Sequence, residues 1–173
     1  MQKRPVTAPA IDQQDMRAAV DWALASRRSI RAFLPREVVR ADIEAIIEVA
    51  RYSASGMNTQ PWQIHVVTGA AKQQLSAAIL RVHDDPGLLA QHSEPYDYYP
   101  AEWISPYVER RRQVGWELYG LLGIGKGNRA AMHAQHGRNY RFFDAPVGLM
   151  ITVDRRMGRG SLLDSALPPF LIF

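Results

Sequence analysis

The stretch Arg27-Arg28-Ser29-Ile30-Arg31 places three guanidiniums and a hydroxyl within five residues. Like charges this close repel one another unless an anion sits among them. Guanidinium–phosphate hydrogen bonds are charge-assisted and often bidentate, so a phosphate is a natural partner. A second reading stands beside it: a basic helix C-terminus complements the negative end of the helix dipole. Physics alone leaves the two level.

A second segment, Ser53-Ala54-Ser55-Gly56-Met57-Asn58-Thr59-Gln60-Pro61-Trp62, is dense in small and amide residues. Such a loop can bring backbone and side-chain donors up to a flat polar ligand, and Gly56 permits close approach. Taken alone, an ordinary structured turn explains it better. A third segment holds Tyr96, Tyr98, Tyr99, Trp103 and Tyr107, interleaved with Pro95, Pro100 and Pro106. Prolines this frequent forbid a long helix. The segment reads as an ordered aromatic loop, either lining a pocket or covering a core.

Other constellations carry less. Gly123-Ile124-Gly125-Lys126-Gly127 has the look of a phosphate loop but follows a helical stretch rather than a strand, and it lacks the dinucleotide spacing. It reads as a helix stop. His133 and His136 share a helix face, yet no acidic or third histidine ligand lies near them in the sequence. Two ligands rarely make a metal site, so no metal is expected. His65 is expected at a packed or edge position on a strand rather than in catalysis, and Arg110-Arg111-Arg112 is expected to form a solvated face.

The elements that must position these residues follow from periodicity. Residues 1–14 are polar, contain Pro5 and Pro9, and read as a flexible arm. Met16, Val20 and Leu24 share a helical face from Asp15 onward. A second helix over about 40–51 turns Ile43, Ile46, Ile47 and Ala50 inward. Trp62 to Thr68 is a β-branched strand ended by Gly69. A helix over about 71–83 follows, with Leu75, Ile79 and Val82 aligned, and then a turn at Asp84-Asp85-Pro86-Gly87. Ser105-Pro106 has the pattern of an N-cap and first helical residue for a helix toward Leu122. Asn128 caps another helix through about Arg138. Val147 to Val153 is a continuous apolar run, expected of a strand buried on both faces.

The 173 residues, 47% apolar and 22% charged, fit one globular domain and exclude general disorder. No internal repeat or second-domain boundary is visible. The absence of cysteine excludes disulfides, thiolate metal sites and a thiol nucleophile. Lys+Arg 21 against Asp+Glu 17 leaves +4, and 18 of the 21 cations are arginine. Acids interleave with bases, which argues against a nucleic-acid-binding module. No apolar run is long enough to span a membrane and no secretory signal follows Met1, so the expectation is a cytoplasmic protein without membrane or nucleic-acid partners. The class is α+β: several helices around a small sheet.

Together the first two segments are more specific than either alone. The sequence resembles the FMN-dependent nitroreductase family. The matching pieces are Arg27-Arg28-Ser29-Ile30-Arg31-Ala32-Phe33 and Ser55-Gly56-Met57-Asn58-Thr59-Gln60-Pro61-Trp62, then Asn139-Tyr140-Arg141-Phe142-Phe143-Asp144-Ala145-Pro146-Val147-Gly148 and Gly158-Arg159-Gly160-Ser161-Leu162-Leu163-Asp164. The resemblance runs from about Asp15 to Leu167. The stretch from Tyr96 to Ile124, with Tyr98-Tyr99-Pro100, Trp103, Pro106-Tyr107 and Leu118-Tyr119-Gly120, is similar to the subgroup that includes nitrobenzoate reductases.

The resemblance implies a central, mostly antiparallel sheet surrounded by helices, in an isologous homodimer with flavin at the interface. It implies that Arg27, Arg28, Ser29 and Arg31 hold the FMN phosphate and ribityl chain. Ala54, Ser55, Gly56 and Asn58 would reach the flavin bound mainly by the other subunit. Asn139 and Arg141 would approach the pyrimidine edge of the ring, where a cation balances developing negative charge. Tyr99, Trp103 and Tyr107 are placed in the substrate channel. The flavin carries the chemistry, so no catalytic side chain is implied. The implied activity is ping-pong hydride transfer from NAD(P)H to a nitroaromatic or quinone-like substrate.

Two features depart from the family pattern. Ala54 stands where many relatives have proline. After Asp164 the family continues with a long core helix, a further strand and a tail bearing phosphate contacts, without counterpart here. Pro168-Pro169 is predicted to break the helix just begun. The expectation is therefore an incomplete FMN-binding domain over 15–167, with residues 168–173 as an aberrant tail. The alternative reading is an inactive truncated remnant with weak or no flavin binding.

Overall fold

The computed structural model describes residues 11–94 and 96–170. The expected arm over 1–14 falls largely outside them. The chain forms two compact units. One comprises the chain up to Val67 together with the chain from Pro146 onward; the other is Thr68–Ala145.

In the first unit, helix α1 covers Gln13–Ser26 and is capped by Asp12, whose carboxylate accepts from the Gln14 amide at 2.7 Å. None of its residues is buried: Trp22 and Leu24 are more than 70% exposed. Helix α2, Arg40–Ala50, follows the expected face, with Ile43, Ile46 and Ile47 half-buried and Ala50 fully buried. Strand β1, Trp62–Thr68, pairs with strand β2, Val147–Val153, in a small antiparallel two-stranded sheet. His65 Nε2 lies 3.1 Å from Thr152 Oγ1, so His65 is tied across the strand pair on an exposed part of it and is not packed. Helix α7, Arg159–Phe170, packs on β2 and on the short 3-10 turn Gly56–Asn58.

Two expectations fail in this unit. Strand β2 is only half-buried apart from the buried Gly148 and the exposed Thr152, because the described sheet has two strands and α7 packs on one part of it. Helix α7 continues through Pro168-Pro169 to Phe170 instead of breaking. Proline's fixed φ suits a helix, and the loss is confined to the two backbone bonds that amides at 168 and 169 would have made to the carbonyls four residues earlier.

The second unit opens with helix α3, Gly69–Asp84, whose Leu75, Ile79 and Val82 are half-buried as expected. The turn expected at 84–87 is instead a one-turn helix α4, Pro86–Leu89. Asp85 accepts from the amides of Gly87 and Leu88, at 2.8 and 3.1 Å, with proline at the first position. Helix α5, Tyr107–Leu121, starts one residue beyond the Ser105-Pro106 cap that the sequence predicts. That peptide bond is cis, and Pro106 precedes the helix instead of opening it.

The glycine stretch after α5 is a helix stop, as expected. Gly123 adopts φ +66°, its amide donates to Gly120 O, and the Ile124 amide reaches back to Tyr119 O at 2.9 Å. This pair of bonds closes the helix in a Schellman motif. Asn128 Oδ1 then accepts from the Ala131 amide at 3.1 Å and caps helix α6, Arg129–Gly137. A tight 3-10 segment, Arg138–Asp144, packs against both α6 and α3.

Candidate functional site

Helix α1 ends where its basic turn begins. Arg27 leaves helical geometry at ψ 132°, and residues 27–39 have no regular structure. Arg28 Nη1 donates to Ala25 O and Arg27 O, both at 2.9 Å, and Arg31 Nη1 donates to Ser29 O at 3.3 Å. Arg28 therefore does complement the negative end of α1, as the dipole reading proposes. Yet among the described residues no carboxylate pairs with Arg27, Arg28 or Arg31, and all three are exposed. Three cations without a counter-ion, on a chain turn, still offer an anion site.

The loop after α2 is held at several points. Ser53 is buried and its hydroxyl donates to Ala50 O at 2.7 Å. The Gln60 amide donates to Ser55 Oγ at 3.0 Å, and Gln60 Nε2 to Arg51 O at 3.3 Å. The Gly56 amide donates to Asp164 Oδ2 at 3.2 Å, which fastens the loop to α7. Within this frame Met57, Asn58 and Gln60 have φ of +52°, +56° and +47°. Left-handed backbone outside glycine costs on the order of 1 kcal/mol per residue and gathers at binding sites. Met57 is 99% exposed and Ala54, Gly56 and Asn58 are also exposed, so the strained backbone faces solvent.

A matching run of strain lies in the second unit. Phe142, Phe143 and Asp144 have φ of +56°, +51° and +66°. Asp144 binds two arginines, Arg138 at 3.3 Å and Arg141 at 3.6 Å. Asn139 Nδ2 donates to His136 O at 2.8 Å and so closes the end of α6. Both residues expected at the ring edge thus have partners within their own segment. Elsewhere the charged groups with displaced pKa values lie on exposed short pairs. The Arg156 guanidinium, hydrogen-bonded to Asp154 at 2.6 Å, holds the Asp154 carboxyl below its ordinary range.

The aromatic loop is organised around Trp103. Tyr99 packs on Trp103 with ring centroids 5.7 Å apart, and Tyr98 meets Tyr99 edge-on at 4.8 Å. Arg111 lies over the Trp103 ring at 4.7 Å. An open cleft of about 350 Å³ is lined by Pro100, Glu102, Trp103, Ile104 and Tyr107. Trp103 and Tyr107 therefore line a cleft, and Tyr99 supports its wall. Arg110 leans on Tyr107 at 5.9 Å, and Arg110, Arg111 and Arg112 are all exposed, as a solvated face requires.

The basic turn and the 53–62 loop belong to the first unit; Asn139, Arg141 and the aromatic residues belong to the second. Two groupings escaped the sequence. Asp164 holds Gly56 from 108 residues away. His133, set aside for want of further ligands, has His83 and Asp84 beside it, supplied by α3. No local pattern announces either pairing, because both depend on tertiary packing.

A sequence model of the nitroreductase family matches residues 24–166, which takes in every candidate residue above. The chain is 42% identical over 147 residues to a 4-nitrobenzoate reductase of Pseudomonas putida, covering 85% of this chain and 63% of that protein. It is 37% identical over 166 residues to a 4-nitrobenzoate reductase of Nocardioides sp. (strain LMS-CY), covering 94% and 64%. The chain thus spans less than two thirds of the length of these curated relatives. Among solved structures, an FMN and NADPH-dependent nitroreductase NfnB from sphigopyxis sp. strain HMH superposes with a TM-score of 0.79 at 38% identity, covering 88% of this chain and 67% of that one. The FMN-dependent NfnB from Mycobacterium smegmatis, in complex with NADPH, gives 0.81 at 27% identity, covering 91% and 69%. With the α+β architecture, the basic turn and the strained loop all inside the matched region, the chain belongs to the nitroreductase family, in its nitrobenzoate-reductase-like subgroup.

Proposed function

We propose that this chain acts as an NAD(P)H-dependent oxidoreductase that uses FMN to reduce nitroaromatic or quinone-like substrates in a ping-pong cycle. The observation that carries the reading is the turn of Arg27, Arg28 and Arg31, three exposed cations without a carboxylate partner among the described residues, in the region matched to the family. The names of the relatives and neighbours support the same reading, since they are nitroreductases and two solved ones are described as FMN-dependent.

The residues present fit the cofactor. Arg27, Arg28, Ser29 and Arg31 suit a phosphate and the polar ribityl chain, because guanidinium forks match phosphate oxygens. Ala54, Ser55, Gly56 and Asn58 offer a strained, solvent-facing backbone with small side chains, which lets a flat ring approach. Asn139 and Arg141 are the candidates for the pyrimidine edge; Arg141 would have to exchange Asp144 for the ring, or share itself between them. FMN, when bound, supplies the electron transfer between nicotinamide and acceptor, and no side chain of this protein needs to act as acid or base. Tyr99, Trp103 and Tyr107 give an aromatic wall on which a substrate ring can stack.

The working form in this reading is a homodimer with flavin at the interface. Helix α1 buries none of its residues, and neither does α5, where Trp116 is 52% and Leu121 88% exposed. Apolar helix faces of this kind call for a covering surface, and a second copy supplies one.

The test is direct. The purified chain should be yellow, and its visible absorption should bleach on addition of NADPH under anaerobic conditions and return with a nitroaromatic acceptor. A colourless protein that takes up no added FMN would overturn the proposal.

A further inference from the structure

The end of α3 and one face of α6 bring His83, Asp84 and His133 together. One potential ligand atom of each lies within 4.8 Å of the others. His133 Nε2 is 2.9 Å from Asp84 Oδ1, and the His83 and His133 rings stack at 4.0 Å with 4° between their planes. His136, one turn along α6, tilts toward His83 at 5.3 Å, and Tyr140 stands edge-on to both. Gly137 packs against the same place: a Cβ there would sit 3.3 Å from the Leu80 side chain and in ordinary contact, 3.5 Å, with His83 Nε2.

We propose that His83, Asp84 and His133 form a binding site for a divalent transition metal, with Zn²⁺ the best match. Two imidazoles and one carboxylate are a common set for zinc, and a water completes the tetrahedron. Imidazole donors select zinc, copper or nickel over magnesium or calcium. One ring must turn out of the stack, because an imidazole binds a metal in its own plane and one ion cannot lie in two parallel planes 4.0 Å apart; the distances themselves need only modest change. A tetrahedral ion with bonds of about 2.0–2.1 Å sets its ligand atoms about 3.3 Å apart. The His133–Asp84 contact opens slightly to reach that value, and the widest separation closes by roughly 1.5 Å. His133 and Asp84 have side chains 50% and 63% exposed, so an ion has access and both side chains have room to turn. Coordination at His133 Nε2 takes the place of the hydrogen bond to Asp84, with release of any proton on that nitrogen. The bound ion would link α3 to α6 across 49 residues of chain and raise the melting temperature, because it binds the folded form.

Calorimetric titration of the metal-stripped chain with ZnCl₂ at pH 7 tests this. One Zn²⁺ per chain is expected, with no heat from MgCl₂ at the same concentration. His133→Ala should weaken Zn²⁺ binding at least tenfold, since loss of an outer-shell partner alone costs about 10–100-fold. Asp84→Asn, nearly isosteric and at an exposed position, should weaken it in the same direction without threatening the fold. His92→Ala, a histidine outside the cluster, should leave affinity unchanged. Absence of Zn²⁺ binding by the unsubstituted chain overturns the proposal. So does equal affinity in the Asp84→Asn and unsubstituted proteins.

Discussion

The bond from the Gly56 amide to Asp164 Oδ2 ties the strained loop to α7, which also packs on the Gly56–Asn58 turn. Met57, Asn58 and Gln60 hold left-handed φ values that cost on the order of 1 kcal/mol each, about 3 kcal/mol together. The hydrogen bonds that hold the loop against that cost include Asn58 N to Ser55 O, Thr59 N to Gly56 O, Gln60 N to Ser55 Oγ, Gln60 Nε2 to Arg51 O, and Gly56 N to Asp164 Oδ2. Neutral bonds contribute about 1 kcal/mol and a bond to a charged group about 1.5–3 kcal/mol. At 3.2 Å and with a half-buried acceptor, the Asp164 bond belongs at the low end, near 1.5 kcal/mol. Asp164→Ala takes about 1.5 kcal/mol from the closed loop and should raise the population of its open form about tenfold. Amide hydrogen exchange at Gly56 and Gln60 should accelerate by that factor, and FMN should bind about tenfold more weakly. Asp164→Asn keeps a neutral acceptor and should show a smaller effect in both assays. Unchanged exchange at both amides in a folded Asp164→Ala protein would refute the claim that this bond holds the strain.

Replacing Tyr99 or Trp103 by leucine should change the ratio of kcat/KM between nitroaromatic acceptors by roughly tenfold, the scale of a lost pocket contact, and leave FMN affinity nearly constant; the opposite pattern would remove these rings from the substrate wall. The Asp154 carboxyl, held low by Arg156, contributes stability that is complete above the ordinary carboxylate pKa and is lost as pH falls through its depressed folded value. An NMR titration should find its midpoint below the usual aspartate range, and Arg156→Gln should return it toward that range.

Local chemistry was legible in the sequence wherever one segment decides its own structure. The spacing of Ile43, Ile46, Ile47 and Ala50 gave the buried face of α2, and Trp62 through Gly69 marked β1 and its end. Asn128 announced the start of α6, and the glycines after Leu122 its neighbour's stop. The basic turn and the aromatic cleft were visible because their residues are contiguous. The limits are physical too. Proline marks where a helix may stop but does not compel it, as α5 and α7 show in opposite directions. The half-buried state of β2 reflects how many strands lie beside it, which no property of Val147–Val153 encodes. Asp164 with Gly56, and His83 with His133, meet only after distant helices have packed.

Helix α1 carries a consequence for what stability means in this protein. Its 14 residues are near the length at which an isolated helix barely persists in water, and it encloses none of them. Its order is therefore lent by whatever surface lies against it. If that surface is the second copy proposed above, folding of that segment and its burial become a single thermodynamic event whose balance contains a concentration. A melting temperature for this chain then describes a particular solution rather than the molecule alone. The basic turn, which begins where α1 ends, takes its fixed position from the same event.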